Sequence, residues 1–317
     1  MQIAPLTEAD AEDAISFIQE GTATPWPLQS WTNNRIAGVI ARDSTRTIGI
    51  LPLRPRKVLV SGQIFTAYYC TAVRVAETYR GSGLGSEMLK VAEAHFCGSS
   101  SFICVVRSDP EGAAFNWYRK NGFVVVAEIS SHDVFRDEPQ SSVKSADLSI
   151  SGLDDLSPAV SKFVDEVLSH GIIRPGVVAQ HRYVDAWRRD LQFHYYSQHY
   201  SSAEVFACGQ EDGHLVGLVA YTQMRSEPRF DVLDFEYEDP GTFLRLAEVI
   251  NRHYSGSCGV PVRWNLGALE SRRLGVESRW VERWRTNLMI HIHDGLGLIG
   301  NELSQFVDWR YRQIEFV

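Results

Sequence analysis

A chain of 317 residues is long enough for one large or two ordinary domains, which excludes a miniprotein held together only by disulfides or a metal. Hydrophobic residues make up 44% of the sequence and charged residues 22%, a composition typical of a globular protein. The formal net charge of -8 gives no overall attraction for nucleic acid or an anionic membrane, so an anionic ligand would need a local binding device.

Cysteine usage and hydropathy indicate the compartment. The five cysteines are odd in number and form no C-x-x-C pair, so neither a disulfide framework nor a cysteine zinc site is expected. No uninterrupted apolar run reaches the length of a membrane span. We therefore expect a cytoplasmic protein with no membrane partner.

The first half of the sequence predicts alternating helices and strands. A helix is predicted over residues 7–21, with Thr7 as its N-cap. Three segments rich in β-branched residues then predict an antiparallel meander, over residues 36–41, 47–53 and 64–75. A helix over 84–96, a short buried strand over 101–106, a helix over 113–120 closed by Asn121-Gly122, and a last strand follow.

The second half repeats this order after a linker-like segment over residues 137–151. Strands are predicted over 203–209, 214–223 and 230–237, followed by a helix carrying Phe243 and Ile250 and a strand over 262–266. Gly275 then occupies the place that Gly122 has in the first half. The sequence therefore predicts two diverged copies of one α+β fold, as domains 1–138 and 147–317.

The stretch Arg80-Gly81-Ser82-Gly83-Leu84-Gly85 joins a predicted strand to the helix over 84–96. Alternating glycines let backbone N–H groups converge, and the helix N-terminus adds about half a positive charge, which together suit a pyrophosphate. Arg80 adds a forked cationic donor. The spacing matches neither the dinucleotide fingerprint nor the phosphate loop of nucleotide hydrolases, and a plain strand–helix turn is the alternative.

Together with a second motif, this stretch resembles the GNAT superfamily of acyl-CoA-dependent N-acyltransferases. The R-G-x-G-[LI]-G signature is met by residues 80–85, and the Y-x-x-x-G-F signature by residues 118–123. Glu77 stands where that family usually has proline, and the resemblance covers residues 1–136. It implies an α+β fold in which each domain is a mixed, mostly antiparallel sheet flanked by helices.

The resemblance also implies a chemistry and a set of site residues. Acetyl-CoA would be the cosubstrate, a small-molecule amine the acceptor, and no metal would be needed. Tyr118 would protonate the departing thiolate. The residues implied to bind acetyl-CoA are Val73 and Val75 beside the pantetheine, and Arg80, Gly81, Ser82, Gly83, Leu84 and Gly85 at the pyrophosphate.

Several points stay open at this level. No carboxylate lies on the strand before Val75, so the general base is unassigned. Glu77 and the pair His132–Asp133 are candidates, and a solvated turn and polar residues on an edge strand are the respective alternatives. Because a base is missing, a non-catalytic acyl-CoA-binding or scaffold protein is the alternative function.

Two further clusters have structural explanations as well as functional ones. His291 and His293 could ligate a metal, but no third ligand is identifiable, and an exposed or edge-strand pair is favoured. The arginines between Arg272 and Arg285, interleaved with tryptophans, resemble a surface for single-stranded nucleic acid. Because the chain is acidic overall, a solvated strand face or a domain interface is favoured, and no nucleic-acid partner is expected.

Overall fold

The structure is a computed structural model, and it describes most of the chain in twelve segments. They are residues 1–20, 37–60, 63–70, 73–107, 111–134, 149–152, 200–209, 215–224, 229–237, 240–254, 261–276 and 280–297. The predicted domain boundaries at 138 and 147 lie outside the described residues.

The first half has the helices and strands that the sequence predicts, with two differences. In chain order the elements are β1 (Gln2–Pro5), α1 (Ala11–Gln19), β2 (Ala37–Asp43), β3 (Arg46–Val60), β4 (Gln63–Cys70), β5 (Arg74–Val75), α2 (Leu84–Phe96), β6 (Ser101–Arg107), α3 (Ala113–Lys120) and β7 (Phe123–Val134). The short strand β1 was not predicted, and the single strand predicted over residues 64–75 is divided into β4 and β5. Thr7, the predicted N-cap, caps a 3-10 turn over Glu8–Asp10, and α1 follows this turn with Asp10 as its own N-cap. The Asp10 carboxylate accepts hydrogen bonds from the backbone amide and the hydroxyl of Thr7, at 2.7 and 2.6 Å, which fixes this helix start.

The described part of the second half repeats the order of strands and helices. Its elements are β8 (Ser149–Gly152), β9 (Tyr200–Gly209), β10 (Leu215–Met224), β11 (Phe230–Tyr237), α4 (Pro240–Tyr254), β12 (Val262–Gly267), α5 (Ala268–Leu274) and β13 (Val281–His291). Gly275 ends α5 in the left-handed conformation, with φ of 63°, and Gly122 follows α3 with φ of 83°. The two glycines thus play matching roles in the two halves.

The strands form one mixed sheet, which confirms the predicted α+β class. Its order is β1-β2-β3-β4-β6-β13-β7-β12-β11-β10-β9-β8, with β5 paired to β3. Neighbouring strands are antiparallel except for the pairs β4–β6 and β11–β12, which are parallel. The order is nearly symmetric about the β13–β7 pair, where the two halves meet.

The two halves exchange their last strands, which the sequence analysis did not anticipate. β13, from the second half, pairs with β6 of the first half through Asn287↔Arg107 to Ile290↔Cys104. β7, from the first half, pairs with β12 of the second half through Val262↔Val134 to Gly267↔Ile129. β7 and β13 also pair with each other along most of their length. The two halves therefore share continuous backbone hydrogen bonding across the middle of the sheet.

Helices cover the sheet of the first half on opposite faces. α1 packs on one face, where Ala14, Ile18 and Ile50 are buried together. α2 and α3 pack on the other, where the predicted apolar positions Leu84, Met88 and Ala92 are buried. In the second half Phe243, Trp264 and Trp280 form an aromatic core, with ring centroids 5.2 to 5.8 Å apart. Across the described segments, no helix combines the length and the apolar character that a membrane span requires.

Candidate active site

The two parallel strands β4 and β6 separate part-way along their length. They pair from Thr66↔Ser101 to Tyr69↔Cys104. Past that point the continuation of β4, the short strand β5, pairs with β3 through Gly49↔Val75 and Ile50↔Arg74, while β6 pairs with β13. Between β5 and residues 105–107 the described chain shows no strand pairing, which leaves two backbone edges facing one gap. An extended chain that carries amide groups could pair with such edges.

The glycine-rich turn follows β5 immediately and leads into α2. A 3-10 turn over Glu77–Tyr79 precedes it, and Gly83 is the N-cap of α2. Gly81 and Gly83 have φ of 79° and 88°, the left-handed region that glycine adopts without steric cost. A Cβ atom built on either residue would meet no described atom within 4 Å. Both residues therefore face open space.

The backbone amides of the turn alternate between satisfied and unsatisfied. The Arg80 amide donates to the Glu77 carbonyl at 3.1 Å, and the Ser82 amide donates to the Tyr79 carbonyl at 3.3 Å. The Leu84 amide reaches the Ser82 hydroxyl at 3.4 Å. Among the described residues, the amides of the three glycines, Gly81, Gly83 and Gly85, have no acceptor. Three free N–H groups at a helix N-terminus make a strong anion site.

Gly85 has a second structural role, which the sequence did not reveal. A Cβ on this residue would lie 3.2 Å from the Cζ2 atom of Trp117, on α3. The indole ring thus packs directly on the first turn of α2, and a side chain at position 85 would press against it. An aromatic residue one position before Tyr118 carries no sequence signal of its own, so this contact needed the fold.

Arg80 lies at the mouth of the same turn and is exposed. Its Nε atom donates a hydrogen bond to the carbonyl of Val75 at 3.3 Å, which links the guanidinium group to β5. Val73 and Val75 are half-buried against the core under α2. The predicted phosphate-binding and pantetheine-binding residues are therefore neighbours along one path, from the gap to the helix N-terminus.

Tyr118 lies at the point where β4 and β6 separate. Its side chain is 1% exposed, and its hydroxyl oxygen is 3.7 Å from the sulfur of Cys70, the last residue of β4. Its ring packs edge-on against Trp117 and Phe123, with centroids 4.8 and 4.9 Å apart. A buried phenol beside the strand gap can donate a proton to a group held there.

The thiols near the gap are buried rather than reactive. Cys70 and Cys104 are free cysteines inside the sheet. Burial raises the pKa of the Cys104 thiol, and burial together with the Glu93 carboxylate raises the pKa of Cys97 to about 12. Cys70 is 1% exposed, which is typical of a small core residue and not of a nucleophile.

His132 and Asp133, which were candidates for the general base, are buried inside the sheet. Their interpretation as polar residues on an edge strand is therefore wrong. β7 is paired on both sides there, with β12 and with β13. Asp133 is held by Arg263 at 2.6 Å and Arg283 at 2.8 Å. Burial alone would raise its pKa, but the hydrogen bonds and charges of the two arginines outweigh that effect and hold the pKa below its usual value.

The position of this pair along β7 separates it from Tyr118. Phe123, at the start of β7, touches Tyr118, and His132 lies nine residues further along the strand. At ~3.3 Å per residue the separation is about 30 Å. The two residues therefore lie too far from the gap to take a proton from a group held there. Glu77, the other candidate, is exposed beside the turn.

The pair His291–His293 is not the exposed edge-strand pair that the sequence favoured. His291 is 5% exposed, and its Nε2 atom lies 3.0 Å from the Glu93 carboxylate on α2. The Nε2 atom of His293 lies 3.0 Å from the Ser101 carbonyl. Within the described segments no group of His, Cys, Asp and Glu side chains could hold a metal ion. The two rings instead fasten the end of β13 to the first half.

Part of the arginine-rich segment is engaged in ion pairs at the boundary between the halves. Arg283 pairs with Asp133, and Arg285 pairs with Glu128 and Glu282. Trp280 is buried in the aromatic core of the second half, whereas Trp284 is 39% exposed. The interpretation as a domain interface thus accounts for Arg283 and Arg285, whereas Trp280 is a core residue of the second half.

Comparison with known protein families bears on the first half. The family model for the acetyltransferase (GNAT) domain matches residues 34–125, which span the meander, the glycine-rich turn, α2 and α3. No curated protein matches the sequence. The match contains both motifs that the sequence analysis singled out.

Solved structures with the same fold cover nearly the whole chain. A conserved protein from Enterococcus faecalis, designated a "probable N-acyltransferase", matches with 14% identity and a TM-score of 0.67, over 92% of this chain and 72% of its own. A GCN5-related N-acetyltransferase from Anabaena variabilis matches with 14% identity and a TM-score of 0.63, over 91% and 72%. A tandem GNAT protein from the clavulanic acid biosynthesis pathway matches with 14% identity and a TM-score of 0.55, over 91% and 97%. At these identities the likeness establishes the fold.

Proposed function

Because residues 34–125 form a GNAT acetyltransferase domain, we propose that this chain transfers the acetyl group of acetyl-CoA to the amine of a small molecule. The single observation that carries the proposal is the row of acceptor-free amides on Gly81, Gly83 and Gly85, at the N-terminus of α2 and next to the strand gap. Such a row suits the diphosphate of CoA, and the gap suits its pantetheine arm.

Each candidate residue has a defined part in this proposal. The diphosphate lies on the turn 80–85, with Arg80 as an additional cation, and the pantetheine runs beside Val73 and Val75. The thioester then reaches the end of the paired part of β4, near Cys70 and the Tyr118 hydroxyl. Backbone N–H groups near Val73 would stabilise the oxyanion.

The transfer is a direct attack of the acceptor amine on the thioester. The new C–N bond forms, the C–S bond breaks, and the thiolate of CoA leaves. Tyr118 gives that thiolate its proton, and acid catalysis of this kind contributes about 10² to 10⁴ in rate. An ammonium is not a nucleophile, so the acceptor reacts as the free amine. The proton that its nitrogen loses on forming the amide passes to solvent, and the Tyr118 phenolate regains its own proton from solvent.

We further propose that the second half is a degenerate copy of the domain that does not bind CoA. The repeated order of elements and the matching glycines Gly122 and Gly275 support a common origin. The segment that precedes α4 reads Asp239-Pro240-Gly241-Thr242, which lacks the alternating glycines. Pro240, at the first position of α4, has no N–H to offer a phosphate.

The proposal is tested by measuring release of the CoA thiol from acetyl-CoA in the presence of a panel of small amines, comprising amino sugars, amino acids and amine-bearing antibiotics. Release that depends on the amine, with formation of the N-acetyl product, is the expected result. If the protein binds CoA but no amine in the panel accelerates thiol release, the result contradicts the proposed transfer and favours a non-catalytic acyl-CoA-binding protein.

A further inference from the structure

One side-chain contact connects the glycine-rich turn to the hairpin between β2 and β3. The hydroxyl of Tyr79, the last residue of the 3-10 turn, donates a hydrogen bond of 2.6 Å to the carboxylate of Asp43. Asp43 is the last residue of β2, and it lies opposite Arg46, the first residue of β3. The turn is thus fastened to a tight hairpin of two long strands.

Tyr79 also organises the turn through its backbone. Its carbonyl oxygen accepts two hydrogen bonds from Ser82, one from the amide at 3.3 Å and one from the hydroxyl at 2.6 Å. The Ser82 hydroxyl in turn accepts from the Leu84 amide at 3.4 Å. A displacement of Tyr79 would therefore be passed to the residues that flank Gly81 and Gly83.

The turn needs an external anchor because its own sequence is permissive. Glycine loses more backbone freedom on ordering than any other residue, and two glycines here adopt positive φ. A site that is ordered before its ligand arrives binds more tightly, because less conformational entropy is lost on binding. Two side-chain hydrogen bonds of this region link the turn to strands. The Arg80–Val75 bond reaches only β5, which immediately precedes the turn, whereas the Tyr79–Asp43 bond reaches β2, more than thirty residues earlier in the chain.

We propose that Tyr79 is a positioning residue that, through its hydrogen bond to Asp43, holds the glycine-rich turn in the conformation that receives the diphosphate of CoA. This inference rests on the proposed function, since it takes CoA as the ligand of the turn. Tyr79 touches no reacting atom in this scheme. Its loss changes the affinity for acyl-CoA and leaves the chemical step intact.

The experiment compares Tyr79→Phe, Asp43→Ala and the double variant by calorimetric titration with CoA. Each single variant should raise the Kd for CoA about five-fold, because one hydrogen bond that preorganises the site contributes about 1 kcal/mol. The double variant should bind no more weakly than either single one, since both changes remove the same bond. Asp43→Asn keeps an acceptor oxygen and should restore most of the affinity.

Steady-state kinetics and a matched control separate positioning from a general loss of structure. The KM for acetyl-CoA should rise with the Kd, while kcat at saturation and the KM for the acceptor stay at wild-type values. Asp13→Asn removes another exposed carboxylate, which lies 3.4 Å from Arg42, and should leave the Kd unchanged.

Three results would overturn the inference. They are an unchanged Kd in Tyr79→Phe, losses that add in the double variant, and a fall in kcat equal to the rise in KM. If the wild-type protein itself does not bind CoA, the proposed function fails first and the inference fails with it. The wild-type titration therefore distinguishes the two kinds of failure.

Discussion

Replacing Gly83 with valine should abolish most of the affinity for CoA while leaving the protein folded. Gly83 has φ of 88°, and a Cβ there meets no described atom within 4 Å, so the cost to the free protein is backbone strain and not a clash. For an L-residue in the left-handed region this strain is about 1–2 kcal/mol. A valine relieves the strain by turning the backbone, which moves the amides of the turn.

The effect on binding follows from the number of amides that move. A hydrogen bond to a charged group contributes about 1.5–3 kcal/mol, so loss of one amide–phosphate bond raises the Kd about 10- to 150-fold. Calorimetric titration with CoA measures this change, and thermal unfolding measures the strain. The expected result is a Kd raised at least about ten-fold with a loss of only a few degrees in Tm.

Gly275→Val is the matched control. Gly275 also has positive φ, of 63°, and a Cβ there also meets no described atom within 4 Å, but it ends α5 in the second half. Its valine variant should lose a similar amount of stability and keep the wild-type Kd for CoA. Equal CoA affinities of Gly83→Val and wild type would refute the reasoning.

Two further predictions concern Tyr118 and Asp133. Tyr118→Phe should lower kcat about 100-fold or more while the Kd for CoA stays unchanged, because the ring packing is kept and only the proton donor is lost. Assays of thiol release measure kcat, and an unchanged kcat would exclude Tyr118 as the proton donor. Asp133→Asn should lower the free energy of unfolding by about 2–4 kcal/mol at pH 7, because it removes the carboxylate that pairs with Arg263 and Arg283. Urea unfolding measures this loss, with Asp13→Asn as the control. A loss of less than about 1 kcal/mol relative to wild type would contradict the prediction. The folded-state pKa of Asp133 is lowered below the unfolded value near 4, so the contribution of this carboxylate to stability is complete above about pH 4 and is lost as the pH falls through the folded-state pKa. The difference in unfolding free energy between wild type and Asp133→Asn should therefore narrow as the pH falls below about 4.

The glycine-rich turn and the helices around it could be predicted because their determinants are local. Left-handed backbone at Gly81 and Gly83 and the free amides at a helix start follow from residue type and spacing alone. The helix α3 begins and ends at the predicted residues, since its apolar spacing and its closing Gly122 both lie within ten residues. The backbone geometry of this turn is therefore predictable from the sequence.

The exchange of β7 and β13 could not be predicted, because it joins residues far apart in the chain. Asn287 pairs with Arg107, 180 positions earlier, and a strand pattern does not specify which neighbour it will find. The same cause explains the error at His132 and Asp133. Polar residues on a strand indicate an exposed edge only if no partner strand covers them. Here Arg263 and Arg283, on strands of the second half, pair with Asp133.

Short or packing-dependent features were also missed. β1, Gln2–Pro5, is four residues long and contains a proline, so it has little pattern of its own and exists because β2 offers an edge. The contact of Trp117 with Gly85 depends on how α3 lies across α2. Both features need the tertiary arrangement and not the local sequence.

The central claim is that the turn between β5 and α2 binds the diphosphate of CoA. The most direct measurement is a pair of calorimetric titrations of the wild-type protein, one with CoA and one with pantetheine, which has the same amide arm and thiol but no phosphate. The account predicts that CoA binds at least about a hundred-fold more tightly, because two or more charge-assisted bonds are lost with the diphosphate. Equal affinities for the two compounds, or no binding of CoA, would contradict it.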